Sequence, residues 1–319
     1  MPTLRMYWRI LRPFSFPASV FPSLVGSLAA LTLHQGEEGF AFSPLHAGLS
    51  LLGCIAIHAT SNLLNDYYDW RSGLDRMDNS GQSNPLVQGT LSLAQMRKLI
   101  VQIAAIAIAI GLYFLAVCGP AIGWIIAIGA VSAWAYTAPP FALKYRGLGE
   151  VQVMLSFGVL MTLGSYIVQA WQVMNLASEL SVLLLALPQS LLIAAILHAN
   201  NHRDRRGDRA AGAQTLSLLL GSPHRSIVFA HSLVWGAYLL HGMVVFATQG
   251  NHYPIPAWTL LAWVSMPWAW RALRSLKGSD EPTSPHFATV VVQHARLQLF
   301  YGSLMVLGLA IAAIEGMVS

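Results

Sequence analysis

The chain has 319 residues, of which 55% are hydrophobic and 10% are charged, and its formal net charge is +5. This composition exceeds what the core of a soluble domain has to bury and is typical of an integral membrane protein. Because the pattern contains no soluble basic domain, the positive charge favours attraction to anionic membrane lipids and argues against nucleic acid as a partner.

Nine apolar segments follow one another along the chain, each near the roughly 20 residues that a helix needs to cross a bilayer. They cover residues 14–33, 46–64, 99–118, 121–140, 151–173, 180–199, 226–248, 255–272 and 297–316. Only Gly119 and Pro120 separate the third from the fourth, and the eighth is short and contains Pro256 and Pro267. The sequence therefore predicts an all-α integral membrane protein whose nine transmembrane helices form a single domain over residues 1–319.

The basic residues indicate how these helices are oriented, because cytoplasmic loops carry an excess of Lys and Arg. With nine helices, all eighteen basic residues fall on one side: Arg5, Arg9, Arg12, Arg71, Arg76, Arg97, Lys98, Lys144, Arg146, Arg203, Arg205, Arg206, Arg209, Arg225, Arg271, Arg274, Lys277 and Arg296. The other side keeps only Glu37, Glu38, Glu179 and Glu315. This predicts a multi-pass protein of the cell membrane with its N-terminus inside and its C-terminus outside. The first apolar run is long for a removable signal peptide, and its removal would leave the loop assignment unchanged.

Two short acidic stretches stand where an apolar run meets a polar loop on the predicted cytoplasmic side. The first places four polar residues on one helix face at spacings of 4, 4 and 3: His58, Asn62, Asp66 and Asp69. Asn65 lies beside this face, and Asp75 follows it. The second repeats polar residues at spacings of 4 and 4, with Asn201 beside them: Asn200, Asp204 and Asp208. Two such oxygen-bearing stripes can share one site.

Several carboxylates placed together at a membrane boundary raise the free energy of the folded protein unless cations compensate their charge. Oxygen ligands without cysteine favour Mg²⁺, which usually binds through one or two carboxylates together with substrate phosphates. Four basic residues on the same side can complete the neutralisation of a diphosphate: Arg71, Lys144, Arg146 and Arg209. A diphosphate at the edge of a lipid-embedded bundle predicts a polyprenyl diphosphate substrate. The competing interpretation, in which these residues only cap helix ends, is less favoured because two matched stripes lie on one face.

With these motifs in place, the sequence resembles the UbiA superfamily of intramembrane prenyltransferases over nearly its whole length. That family has nine helices, with one acidic motif after the second helix and another after the sixth. Several segments are most similar to its branch of 1,4-dihydroxy-2-naphthoate polyprenyltransferases in menaquinone synthesis: Arg12-Pro13, Asn65 to Asp75, Tyr136 to Pro140, Gly147 to Glu150, Asn200 to Asp204, and Thr215-Leu216.

The resemblance implies Mg²⁺-dependent transfer of a prenyl chain from its diphosphate to an aromatic ring carbon. Five residues match the positions that bind the Mg²⁺-diphosphate: Asn62, Asp66, Asp69, Asp204 and Asp208. Lys144 corresponds to a basic residue that contacts the diphosphate. For a dihydroxynaphthoate acceptor, the resemblance adds loss of the carboxylate and a demethylmenaquinone product. Where many relatives carry Arg-Pro-Leu, this chain has Asn84-Pro85-Leu86, which removes one expected positive charge.

Breaking the allylic C–O bond leaves a cation that needs a dry, electron-rich wall. Four tyrosines lie near the motifs and are candidates to form it: Tyr67, Tyr68, Tyr136 and Tyr145. Tyrosines of an interfacial belt would show the same placement. His58 is a further candidate for binding the acceptor, although a histidine bonded to neighbouring groups of the bundle is the more common case.

Three alternatives to this activity stay open at the level of sequence. The same fold can act on hydroxybenzoate, homogentisate or a chlorin, and it can act without an aromatic acceptor as an intramembrane terpene cyclase. A transporter of a lipid precursor is more remote, because transporters tend to use repeated halves with sites near the bilayer midplane.

Overall fold

The computed structural model describes residues 6, 8, 10–75 and 84–318, and regular structure in those residues is helical. Three of the basic residues counted above, Arg5, Arg9 and Arg76, lie outside the described residues. Eleven helices are labelled here in chain order: α1 (Pro17–His34), α2 (Pro44–Ser72), α3 (Leu93–Cys118), α4 (Pro120–Ala135), α5 (Gly149–Ala170), α6 (Leu176–Arg203), α7 (Arg205–Ala210), α8 (Leu216–Leu219), α9 (Pro223–Thr248), α10 (Met266–Arg274) and α11 (Val290–Val318).

Seven of these helices, α1, α2, α3, α5, α6, α9 and α11, are long and apolar enough to cross a membrane. They match seven of the nine predicted spans. The fourth predicted span is the 16-residue helix α4, and the eighth is divided into a 3-10 helix at Ala257–Ser265 and the nine-residue α10. The proline-rich sequence around the eighth span accounts for this division, because proline lacks the amide donor of a regular helix. The all-helical fold is confirmed, whereas a count of nine full spans is not.

Helix α2 carries the first acidic stretch because it continues beyond its apolar part. Its N-terminus is capped by Ser43, whose hydroxyl accepts a hydrogen bond from the His46 amide at 3.2 Å. It ends at Gly73, whose positive φ of 73° is the left-handed conformation that terminates helices at glycine. The helix thus extends eight residues past the predicted end at 64, and the first acidic stretch lies on its last turns.

Helices α2, α3, α4 and α5 surround an apolar cavity of about 350 Å³. Helix α1 packs against α5 and α11, and α6 packs against α9; the main apolar core includes buried residues of all five of these helices. At Gly26, α1 approaches α5 so closely that a methyl group would collide with the backbone carbonyl of Thr162 and lie 3.0 Å from Ser165 Cβ. Small residues allow helix backbones to approach closely in membranes.

Because a backbone carbonyl cannot move aside as a side chain can, we expect Gly26→Ala to destabilise the protein by about 1–3 kcal/mol. The matched control is Gly48→Ala in α2, where the added methyl group meets no described atom of another helix within 4 Å. Thermal unfolding of both variants in the same detergent measures the difference. The midpoint of Gly26→Ala should fall by several degrees and that of Gly48→Ala should not; equal midpoints would contradict the packing.

Candidate active site

The first acidic stretch forms a buried cluster at the end of α2. Asp66 and Asp69 are 1% and 3% exposed. The guanidinium of Arg12 pairs with Asp66 Oδ1. Lys144 Nζ donates to Asp69 Oδ2 and to Asn65 Oδ1, both at 3.0 Å, and Asn65 Nδ2 donates to Asp69 Oδ2 at 2.9 Å. Each buried carboxylate therefore has a basic partner from a distant part of the chain.

Lys144 lies in the loop between α4 and α5 and connects the two acidic stretches. Burial disfavours its charged form, but the attraction of Asp69, Tyr136 and Asp208 outweighs burial and holds the pKa of Lys144 above its ordinary value. Its ammonium group is bonded to the first stretch, and the negative charge of Asp208 in the second stretch adds to the rise of the Lys144 pKa. A positive charge placed in this way is suited to binding an anionic group.

The second acidic stretch lies at the junction of α6 and α7 and is not the continuous helix that its spacing predicts. Asp204 interrupts the helix, with φ −87° and ψ 5°. Arg203 holds the carboxylate of Asp204 through two hydrogen bonds of 2.7 Å, and Asn200 Nδ2 donates to the same carboxylate at 3.2 Å. The helical pattern of backbone hydrogen bonds nevertheless continues, because the Asp204 amide donates to the Asn200 carbonyl at 3.0 Å and the Asp208 amide donates to the Asp204 carbonyl at 2.9 Å.

Asp208, in α7, is the carboxylate of the second stretch whose charge influences the pKa of Lys144. Burial raises the pKa of Asp208 to about 7, Lys144 opposes that rise, and the negative charges of Asp204 and Asp69 add to it. The Thr215 hydroxyl donates to its Oδ2 at 3.3 Å. We call Asp66, Asp69, Lys144, Asp204 and Asp208 the acidic site.

The acidic site has the donor chemistry of a magnesium site. Among the residues that the structure describes, no three His, Cys, Asp or Glu side chains converge as a ready-made metal site. Mg²⁺, however, needs only one or two carboxylates when substrate phosphates supply the other ligands. Asp69 Oδ1 is buried and has no hydrogen-bond partner within the described residues, so it can take a cation while Oδ2 stays on Lys144.

The apolar cavity begins directly beside the acidic site. Leu64, which lines it, precedes Asn65, and Tyr136, which also lines it, accepts a backbone hydrogen bond from the Lys144 amide at 2.9 Å. From there the lining continues along α2 to Ser50, fourteen residues away, which corresponds to about 21 Å of helix. A polar entrance is thus joined to a long apolar interior.

Of the four tyrosines predicted to form an electron-rich wall, Tyr136 is the one that lines the apolar cavity. Tyr67 and Tyr68 contact each other edge to face, and the Tyr67 hydroxyl accepts a hydrogen bond from Arg97 at 3.4 Å. The Tyr145 ring lies 5.2 Å from Lys144 Nζ. Phe157 was not predicted as part of this wall; it lines the cavity and packs against His58 with ring centroids 4.6 Å apart.

His58 and Asn62 connect α2 to the segment before α1. Both ring nitrogens of His58 are engaged, by Ser19 Oγ at 2.8 Å and by Ser15 Oγ at 3.2 Å. Asn62 Nδ2 donates to Ser15 Oγ at 3.4 Å. Ser15 also donates to the Arg12 carbonyl at 2.8 Å, so these contacts support the segment that presents Arg12 to Asp66.

Other predicted substrate-binding residues lie at the edge of the acidic site or outside it. Arg71 and Arg209 are exposed, and Arg146 is exposed and donates to the Pro140 carbonyl at 2.8 Å. Asp75 accepts a hydrogen bond from Asn84 at 2.8 Å. Asn201 is buried and donates to Glu150 Oε1 at 3.1 Å, behind the second acidic stretch.

Three polar residues were not predicted as parts of the site: Arg12, Glu150 and Arg203. All three stand in segments that carry the family resemblance, which was the available signal, and Arg203 was also counted among the basic residues that indicate topology. Glu150 is 3% exposed and its Oε1 also bonds His198 Nδ1 at 2.9 Å. It therefore fastens the start of α5 to the end of α6.

Comparisons with known proteins show the family and the fold of the chain. The model of the UbiA prenyltransferase family matches residues 19–291. The chain is 26% identical over 312 residues to 1,4-dihydroxy-2-naphthoate octaprenyltransferase of Bacillus subtilis (strain 168), covering 97% of this chain and 93% of that protein. It is 31% identical over 314 residues to UbiA prenyltransferase domain-containing protein 1 of Danio rerio, covering 96% and 84%.

Among solved structures, a UbiA homolog from Archaeoglobus fulgidus bound to GPP and Mg²⁺ superposes with a TM-score of 0.62 at 18% identity, over 94% of this chain and 99% of that one. At that identity the likeness supports the fold. Family match, fold and membrane-spanning helices lead to one conclusion: the chain belongs to the UbiA prenyltransferase family and is a multi-pass membrane prenyltransferase.

Proposed function

We propose that this protein transfers a polyprenyl group from its diphosphate to 1,4-dihydroxy-2-naphthoate, with Mg²⁺ as cofactor. The observation that carries the proposal is the position of Lys144. It bonds Asp69 and Asn65, interacts with Asp208, and lies at the entrance of the apolar cavity. A substrate with an anionic head and an apolar tail matches both environments.

The acidic site would hold the head of the donor. Asp66, Asp69, Asn62, Asp204 and Asp208 are the residues that would bind Mg²⁺, which when bound neutralises phosphate charge and favours departure of the diphosphate. The basic side chains that now pair with these carboxylates would contribute positive charge to the same head group: Arg12, Lys144 and Arg203.

The apolar cavity would hold the tail of the donor. Its lining as a whole is mostly apolar, and the cavity follows α2 from Leu64 to Ser50, away from the acidic site. Burying a prenyl chain there is favourable by about 25 cal/mol per Å² of apolar surface. A tail held in this direction points the allylic carbon back toward Lys144.

The reaction breaks the bond between the allylic carbon and the diphosphate oxygen, and the electron pair leaves with the diphosphate. The charge of Lys144 stabilises the negative charge that develops on the leaving group. Tyr136 and Phe157 present aromatic rings to the cavity, where each can stabilise an allylic cation by about 1–2 kcal/mol. A ring carbon of the acceptor then supplies the electron pair of the new carbon–carbon bond. The ring restores its aromatic electrons by releasing a proton or, at a carboxyl-bearing carbon, CO₂.

The named activity of the B. subtilis relative supports the choice of acceptor and of menaquinone synthesis. We further propose that the site faces the cytoplasm at the cell membrane, with the N-terminus inside and the C-terminus outside, because this orientation places all Lys and Arg residues on the inner side.

Replacing Lys144 tests the leaving-group step. We expect Lys144→Met to lower kcat by about 100- to 1,000-fold, the usual cost of removing one donor that stabilises developing negative charge. Lys277→Met, which removes an exposed lysine, is the matched control and should retain activity. Prenyl transfer in purified membranes measures both. A Lys144→Met enzyme with normal kcat would contradict the assigned role.

Metal dependence tests the role of the carboxylates. We expect chelation to abolish prenyl transfer and added Mg²⁺ to restore it, because the phosphate charge is otherwise uncompensated. Asp66→Asn and Asp204→Asn should lose activity at saturating substrate, whereas the exposed Glu38→Gln should not. Full activity in either aspartate variant would remove that residue from the site.

A panel of acceptors tests the identity of the substrate. Membranes containing the protein, Mg²⁺ and geranylgeranyl diphosphate should convert 1,4-dihydroxy-2-naphthoate to a prenylated product whose mass shows loss of CO₂. Products from hydroxybenzoate, homogentisate or a chlorin instead would contradict the acceptor. A hydrocarbon or alcohol formed without any acceptor would identify a terpene cyclase, and binding without turnover under all conditions would favour a carrier.

A further inference from the structure

One glutamine in the apolar cavity has half of its amide engaged and half unpaired. Gln152 lines the cavity from the first turns of α5 and is 9% exposed. Its Nε2 donates to the backbone carbonyl of Ser132 in α4. Its Oε1 is buried and has no hydrogen-bond partner in the part of the chain that the structure describes. The amide is therefore oriented by one bond and retains an acceptor for a second.

This amide lies close to the reacting end of the cavity. A methyl group at Gly149 would lie 3.5 Å from Lys144 Cα and 3.7 Å from the Tyr136 ring carbon Cε2. Gln152 follows Gly149 by three residues, so it lies on the same side of α5 and about 4.5 Å further along the helix. A ring bound beside Gln152 is thus about one helical turn from the level of Lys144.

Several of the hydroxyls further along the cavity are already bonded. Thr60 donates to the Ala56 carbonyl at 2.9 Å, and the hydroxyls of Ser50 and Ser165 pair at 2.6 Å. A hydroxylated aromatic ring that enters this apolar space needs a partner for its O–H, because an unpaired buried polar group is costly. The side-chain carbonyl oxygen of Gln152, in turn, needs a hydrogen-bond donor.

We propose that Gln152 binds the aromatic acceptor by accepting a hydrogen bond from one of its ring hydroxyls at Oε1. This inference rests on the proposed prenyl transfer and adds a specificity determinant to it: the acceptor must carry a free hydroxyl. The bond fixes the rotation of the ring in the cavity and directs one ring carbon toward the allylic carbon released beside Lys144. Positioning of this kind lowers the entropic part of the barrier.

The test compares Gln152→Met, which keeps the length of the side chain without the amide, with Gln152→Glu, which keeps an oxygen acceptor. Gln102→Met, at an exposed glutamine of α3, is the matched control. KM and kcat are measured in membranes with geranylgeranyl diphosphate as donor, using 1,4-dihydroxy-2-naphthoate and its two monomethyl ethers as acceptors.

We expect Gln152→Met to raise the KM for the dihydroxy acceptor about tenfold and to leave the KM for the donor within about twofold. The wild type should discriminate against one of the two methyl ethers by a similar factor, which corresponds to about 1.4 kcal/mol. Gln152→Met should lose that discrimination, and Gln152→Glu should keep it. A purely structural role of Gln152 would change both KM values or the stability, and would leave the discrimination intact.

The outcomes separate this inference from the proposed function. If the wild type transfers the prenyl group and Gln152→Met discriminates between the acceptors as the wild type does, the role of Gln152 is wrong while the activity stands. If Gln152→Met fails to fold, loss of discrimination in Gln152→Glu overturns the inference. If the wild type transfers no prenyl group to any of the three acceptors, the proposed function itself fails.

Discussion

Buried charge is the constraint on which the arrangement of this protein depends. A carboxylate at the boundary of an apolar bundle stays ionised only when a cation or several hydrogen bonds compensate it. Three ion pairs meet this requirement at the acidic site: Arg12–Asp66, Lys144–Asp69 and Arg203–Asp204. The first two join α2 to the segment before α1 and to the loop before α5. The contacts that compensate the buried charges therefore also hold these parts of the fold together.

The second acidic stretch is fastened from behind by Glu150. The Glu150 carboxylate accepts a hydrogen bond from Asn201 and is bonded to His198, and both of these residues are on α6. Glu150 follows Lys144 by six residues in the chain. A shift of α6 relative to α5 would break this buried network, which costs more than the net value of its bonds because unpaired polar groups remain. The separation between Lys144 and the second stretch is therefore set by packing, and a diphosphate would meet a site formed in advance.

Sequence periodicity predicted those features of the site that depend on local helix geometry. The helical register of Asp66 and Asp69 follows from spacing alone, and α2 confirms it. The second register is interrupted by one residue, Asp204, between α6 and α7, although the backbone bonds from Asp204 to Asn200 and from Asp208 to Asp204 are kept. Which basic residue pairs with a carboxylate depends on the tertiary structure. Spacing along the chain therefore did not predict that Arg12 pairs with Asp66. The aromatic residues near the motifs were predicted from proximity in sequence. Of these, Tyr136 lines the cavity, whereas Phe157 of α5 is distant in sequence from both motifs and could not be predicted in this way.

Asn84 shows how the site keeps its charge balance where the sequence departs from the family pattern. Asn84 is fully buried, and its amide donates to the Asp66 carbonyl and to Asp75, each at 2.8 Å, while its Oδ1 accepts from the Leu86 amide at 3.0 Å. A neutral amide meets these three needs, and the Asp66 carboxylate has its positive partner in Arg12. Asn84 thus bonds the backbone of Asp66 while Arg12 pairs with the Asp66 carboxylate, so an uncharged residue at position 84 leaves this buried carboxylate compensated.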